Sequence, residues 1–206
     1  MHMERPHPPT RTHRLHPWGL QVLGCALLCG ALAGQTWAQS TTVTSPNAAF
    51  SRPEMTGLGG VVPTAPVRLR VWGFEVYDAR LWTPVGFRHG AYTQFSFALE
   101  LQYLRKLEGA AIASRSIDEM RRVGAFSEAQ SQSWLAAMRE LFPDVRQGER
   151  ITGINLPGVG AEFWVNGQRV GVVKDPAFAR LFFGIWLDER TSEPKMRAQL
   201  LQGLQP

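Results

Sequence analysis

Few residues of this 206-residue chain pair a ligand-gripping side chain with a spacing that would aim it. Arg68 and Arg70 are two apart in Val67-Arg68-Leu69-Arg70-Val71, so on a strand both guanidinium groups share a face. A guanidinium presents a planar fork of donors that matches a carboxylate through two parallel bonds. Tyr77 and Tyr103 sit in later alternating segments and would bring hydroxyl donors on apolar rings. Together Arg68, Arg70, Tyr77 and Tyr103 are the candidate ligand-binding residues for a small apolar or carboxylate ligand. The competing reading makes the arginines guards of an edge strand and the tyrosines core rings. No catalytic set emerges beside them. His89 lies in the turn-like Gly86-Phe87-Arg88-His89-Gly90, and no glycine pattern of a nucleophile elbow accompanies any serine. Glu75 with Asp78, and Asp118 with Glu119, read as solvated carboxylates.

The inventory narrows once the first 38 residues are read as a signal peptide. Arg5, Arg11 and Arg14 precede an apolar run from Trp18 to Ala33, followed by Thr36-Trp37-Ala38, a small-x-small cut site. The run is shorter than the roughly 20 apolar residues a bilayer core requires, so no stable membrane span is expected after cleavage. A lipoprotein reading of Leu23-Gly24-Cys25 would leave almost no apolar run ahead of the cysteine. The expected address is periplasmic or secreted. Both cysteines (Cys25, Cys29) and four of the five histidines fall in the leader. What remains cannot build a disulfide, a thiolate nucleophile or a Cys/His metal cluster, and no cofactor is expected. Three of the 22 Lys and Arg and one of the 17 Asp and Glu also lie there, which lowers the net charge from +5 to +3. With no basic run, nucleic acid is not an expected partner.

Gln39 to Pro66 is rich in Ser, Thr, Pro and Gly and reads as a flexible linker; a single domain is expected over 67–206. Val67 to Trp82 alternates as a strand, with Gly73 marking a bulge or bend inside it. Phe95 to Tyr103 alternates more clearly. Two helices follow. One spans about Glu108 to Val123 and is stopped by Gly124; the other starts at the capping box Ser127-x-x-Gln130 and ends at Pro143. Arg150–Leu156, Ala161–Val165 and Gln168–Val173 then form a meander through Pro157-Gly158 and Asn166-Gly167 turns. Asp175-Pro176 opens a helix with the bulky stripe Phe178, Leu181, Phe182, Ile185 and Trp186, either core or the lining of an apolar pocket. A last short helix starts at Pro194. The class is α+β: an antiparallel sheet with helices covering one face, the other face half open.

Val76-Tyr77-Asp78-Ala79-Arg80-Leu81-Trp82, the two meander turns with Gly171, and above all Phe178-Ala179-Arg180-Leu181-Phe182-Phe183-Gly184-Ile185-Trp186-Leu187 resemble bacterial chalcone-isomerase-like proteins. The resemblance runs from about Val67 to Gly203. It implies an open-faced sandwich with a ligand cleft between sheet and helices. Plant enzymes of this family close a flavanone ring using an arginine on an early strand and hydroxyl groups in the cleft; non-catalytic relatives hold a fatty-acid carboxylate with an arginine and a tyrosine. Tyr77 falls where the plant enzymes keep a threonine, and no counterpart is found of the helical segment that supplies their Tyr and Asn. The expectation is therefore a non-catalytic binder of an apolar carboxylate. The alternatives are an isomerase acting on a phenolic substrate, and an envelope interaction protein with no small ligand.

Overall fold

A computed structural model of the chain describes residues 52–206. The leader, its expected cut after Ala38 and the first part of the linker lie outside the described residues. Seven strands form one antiparallel sheet: β1 (Val62–Pro63), β2 (Val67–Val71), β3 (Phe74–Thr83), β4 (Phe97–Tyr103), β5 (Arg150–Leu156), β6 (Gly160–Val165) and β7 (Gln168–Val173). The order is β1-β3-β4-β5-β6-β7, and β2 shares with β1 the outer edge of β3. Helices α1 (Gly109–Val123) and α2 (Glu128–Leu141) intervene between β4 and β5; α3 (Pro176–Leu187) and α4 (Pro194–Leu200) close the chain. This is the α+β open-faced sandwich expected from the alternation of patterns.

Local chemistry places the helix ends. Ser127 Oγ accepts from the Gln130 amide at 3.2 Å while Gln130 Oε1 accepts from the Ser127 amide at 3.0 Å, the reciprocal capping box. Asp175 Oδ1 accepts from the Ala177 amide at 2.8 Å, and its Oδ2 accepts from the Trp134 indole at 2.9 Å, so one carboxylate caps α3 and ties it to α2. Gly124 ends α1, as expected, but with extended backbone rather than the left-handed conformation common at helix stops. Its usefulness is spatial: an added Cβ would lie 3.0 Å from Leu181.

One strand prediction is corrected. Gly73 does not bend a continuous strand; Trp72 (φ 49°) and Gly73 (φ 84°) form a two-residue hairpin turn between β2 and β3. Both central residues are left-handed, as in the Asn166-Gly167 turn of β6–β7 (φ 50° and 83°). The expectation failed because Trp is a rare choice for that conformation. A second difference is that the stretch read as linker takes up structure from Arg52 onward. Pro53–Leu58 forms a 3-10 helix and β1 pairs with Trp82 and Thr83. Glu54 is buried in that segment, ion-paired to Arg150 (3.4 Å) and accepting from Thr152 Oγ1 (3.2 Å). Arg52 and Arg150 both pair with Glu100. The sheet face away from the helices is thus partly covered by a charged strap.

The helix face carries the apolar core. Phe178 stacks on Phe182, which meets Phe163 edge-on at 5.1 Å, and Phe183 meets Phe97 edge-on at 4.9 Å. Eight of the twelve residues of α3 are buried. Gly184 is where α1 crosses closest: an added Cβ would sit 2.6 Å from Val123 Cγ1 and 3.1 Å from the Tyr92 hydroxyl. Gly184→Ala should therefore destabilise the fold by about 1–3 kcal/mol, overpacking outweighing the gain in helix propensity. Urea unfolding followed by Trp fluorescence measures it, with the midpoint moving down at unchanged slope.

Candidate functional site

Between the helix layer and the β2/β3 side of the sheet lies a cavity of about 320 Å³. Its apolar wall comes from the sheet (Leu69, Val71, Val76, Leu101, Ile151) and from α1 and α3 (Ile112, Phe182, Ile185). Volumes from about 300 Å³ upward are those of small-molecule sites. A bulge in β3 shapes one side: Leu69 pairs with Tyr77 but Arg70 pairs with Glu75, which leaves Val76 as the extra residue. Val76 and Tyr77 consequently both line the cavity.

Tyr77 and Tyr103 are cross-strand partners on β3 and β4, with rings meeting edge-on at 6.1 Å. Both line the cavity. Tyr77 Oη accepts from the Trp186 indole at 3.0 Å, which leaves its own proton to donate. The Tyr103 hydroxyl has no hydrogen-bond partner among the described residues. Burial pushes Tyr77 well above the usual phenol range; the Trp186 N–H opposes that, and the carboxylates of Glu193 and Glu119 reinforce it. Tyr103 is raised further, by burial first and then by Tyr77. Both are therefore protonated donors at neutral pH.

The two arginines singled out by sequence are elsewhere. Leu69 and Val71 point into the cavity, so Arg68 and Arg70, alternate to them, point to the other face. Arg68 donates to both oxygens of Asp78 (2.7 and 2.8 Å), and both arginines donate to Glu75 Oε1 (2.8 and 2.9 Å). The Arg68 and Arg70 guanidiniums hold the Glu75 carboxyl below the usual carboxylate range. These are exposed ion pairs that guard the edge strand, and neither arginine touches the cavity. The cation on the cavity wall is Arg115 of α1, which pairs with Glu119 at 2.6 Å; Ser116, Ser192 and Glu193 complete the polar lining. Sequence reasoning misses this group because the buried stripe of α1, Ala113, Ile117 and Met120, dominates its pattern. The signal was present one helical step over, where Ile112, Ser116 and Glu119, with Arg115 beside them, recur at the same three- and four-residue spacing. Of the stripe on α3, Phe182, Ile185 and Trp186 line the cavity while Phe178 and Leu181 are core.

His89 lies outside the cavity, its ring pKa lowered by burial and by Arg197. No group of three or more His, Cys, Asp or Glu among the described residues is gathered to hold a metal ion. No helix among them is long and apolar enough to cross a membrane. The arrangement is therefore a mostly apolar chamber with two neutral hydroxyl donors inside and one ion-paired arginine on its wall.

Of the three tyrosines of the chain, Tyr92 and Tyr103 are buried and Tyr77 is half-buried; Tyr92, whose hydroxyl donates to the Arg180 carbonyl at 2.7 Å, is pushed up to about 12, by burial first. A phenol whose folded pKa is raised stabilises the fold fully below its unfolded value near 10 and ceases to do so as pH rises through the folded value. Alkaline titration at 295 nm should show no phenolate near pH 10, then a cooperative rise coincident with loss of tertiary circular dichroism above it.

Comparison with known proteins agrees with this architecture. A relative in Haemophilus influenzae, described as an uncharacterized protein, is 30% identical over 131 residues, a match covering 63% of this chain and 63% of the relative. Among solved structures, an Arabidopsis thaliana fatty-acid binding protein superposes with a TM-score of 0.51 at 14% identity, covering 66% of this chain and 83% of the plant protein. At that identity the likeness is one of fold. Residues 65–202 match the family described as chalcone isomerase-like, and with that match spanning most of the described residues, the chain belongs to the chalcone isomerase-like family.

Proposed function

We propose that this protein is an exported, non-catalytic binder of a small apolar carboxylate, a fatty acid or a molecule of that class, held in the cavity between sheet and helices. One observation carries the reading: inside an apolar chamber, the Tyr77 and Tyr103 hydroxyls both keep a proton to donate. An acceptor oxygen on an otherwise apolar ligand answers both, a neutral hydrogen bond being worth about 0.5–1.5 kcal/mol. Arg115 supplies a charge for the same head group, in competition with Glu119. The three-part leader supports export. Tyrosines held protonated cannot act as bases near neutral pH, which weighs against proton abstraction from a phenolic substrate. The named activity of the plant structural neighbour, fatty-acid binding, is in keeping with this reading.

Trp186 donates to Tyr77 at the cavity, so its emission reports occupancy. Titrating lipid-stripped protein with lauric and palmitic acids should shift Trp fluorescence saturably, and native mass spectrometry of protein taken directly from cells should show an acyl adduct. Tyr77→Phe removes one donor and should weaken binding about tenfold, in line with a net bond strength near 1.4 kcal/mol. No spectral change and no adduct would leave the proposal without support.

Arg115 is largely exposed, so its share is smaller. Arg115→Ala should weaken a fatty acid by about fivefold and leave the corresponding fatty alcohol unchanged, the scale of an exposed ion pair. Equal losses for acid and alcohol would mean that the head group lies elsewhere.

A further inference from the structure

The cavity face of the sheet does not end at the cavity. Val71, which lines it, pairs across the hairpin with Phe74, and the two project on the same side. Phe74 is 62% exposed and Val71 40% exposed. Trp72, in the turn between them, is 95% exposed. A bulky residue at φ 49° is strained, and the same turn at β6–β7 uses Asn166, the type that conformation favours. Trp72 contributes nothing to the core, so folding does not account for its presence at the tip.

The surroundings are cationic. The Arg105 guanidinium lies over the Phe74 ring, 5.3 Å from its centroid. Arg105 and its neighbour Lys106 have no carboxylate partner among the described residues, whereas Arg70, at the base of the turn on the other face, is paired with Glu75. Exposed Trp and Phe flanked by Arg and Lys match the boundary between headgroups and acyl chains, where indole rings partition and cations meet anionic lipid.

We infer that the β2–β3 hairpin tip, through Trp72, Phe74 and Arg105, docks this protein onto a bilayer surface containing anionic lipid. The apolar strip from Val71 into the cavity then gives a short path between the acyl phase and the chamber. That second role rests on the ligand reading above; the docking does not. A projecting tip of two rings offers too little area for a stable protein interface, which requires about 1,200 Å² or more in total. A bilayer sets no such minimum, since each inserted ring partitions by itself.

The test is co-sedimentation of the full chain with vesicles of phosphatidylcholine alone and of phosphatidylcholine with phosphatidylglycerol. Binding is expected chiefly to the anionic vesicles and should weaken with salt. The variant Trp72→Asn with Phe74→Ser should lower the partition coefficient at least about tenfold, and Arg105→Gln by about fivefold on anionic vesicles only. The leader is common to all these proteins, so the differences belong to the hairpin. Trp72→Asn suits the turn conformation, which keeps folding intact. Lipids brominated along the acyl chain should quench a Trp component that Trp72→Phe removes. Equal partitioning of parent and double variant overturns the proposal. So does a concentration-dependent dimer abolished by the same substitutions, which would assign the tip to a second copy of the chain. Fatty-acid titration of the double variant should match the parent. Vesicle binding that persists in a parent unable to bind fatty acid would sink the ligand reading and leave the docking standing.

Discussion

Helix α3 is fastened to α2 at its start, to the β3–β4 connection midway and to the sheet near its end, and most of what surrounds it follows from that seating. Asp175 caps its first turn and holds Trp134 of α2. The Tyr92 hydroxyl donates to the Arg180 carbonyl midway, and Trp186 reaches Tyr77 near its end. The rings between these ties interlock with Phe163 and Phe97 of the sheet. A helix so apolar could not be soluble alone; burying each large side chain is worth about 1.5–3 kcal/mol, and the capping and hydroxyl contacts settle which way it lies. The cavity lies beside the second half of α3, where Phe182, Ile185 and Trp186 face α1 and strands β2 and β3.

The two faces of the sheet solve different electrostatic problems. On the helix face the charged residues lining the chamber are Arg115, Glu119 and Glu193, and the two tyrosines inside stay neutral. On the opposite face, Glu54, Glu100, Arg52 and Arg150 form a part-buried charged group under the strap. Buried ions of this kind cost desolvation unless paired, so they add little to stability and chiefly specify how the strap sits.

The fold was legible where residue choice and geometry agree. Asp175-Pro176, Ser127-x-x-Gln130 and Asn166-Gly167 each name their own backbone conformation, and each occurs where the pattern placed it. The resemblance rested on the α3 segment, whose Gly184 is dictated by the crossing with α1. Legibility failed where residue choice and geometry conflict. Trp72 hid a hairpin turn inside what read as one strand. The strap was hidden because a Pro- and Ser-rich stretch owes its order to distant arginines. In the site, Tyr77 and Tyr103 followed from alternation, but the arginine did not. Alternation says that Arg68 and Arg70 share a face; it does not say which one, and Leu69 and Val71 decided that by taking the apolar side. Arg115 lay on a helix flank that no two-state apolar pattern marks.

The bulge at Val76 carries one more consequence. Phe74 and Tyr77 are three residues apart, and in an unbroken strand that odd separation would send them to opposite sides of the sheet. The extra residue resets the parity, so the aromatic at the hairpin tip and the hydroxyl in the chamber share a side. Val76 thus works as a phase shifter. Length changes in this hairpin are tolerable only when they preserve the count modulo two; loss of a single residue would turn either the tip or the tyrosine toward the charged face.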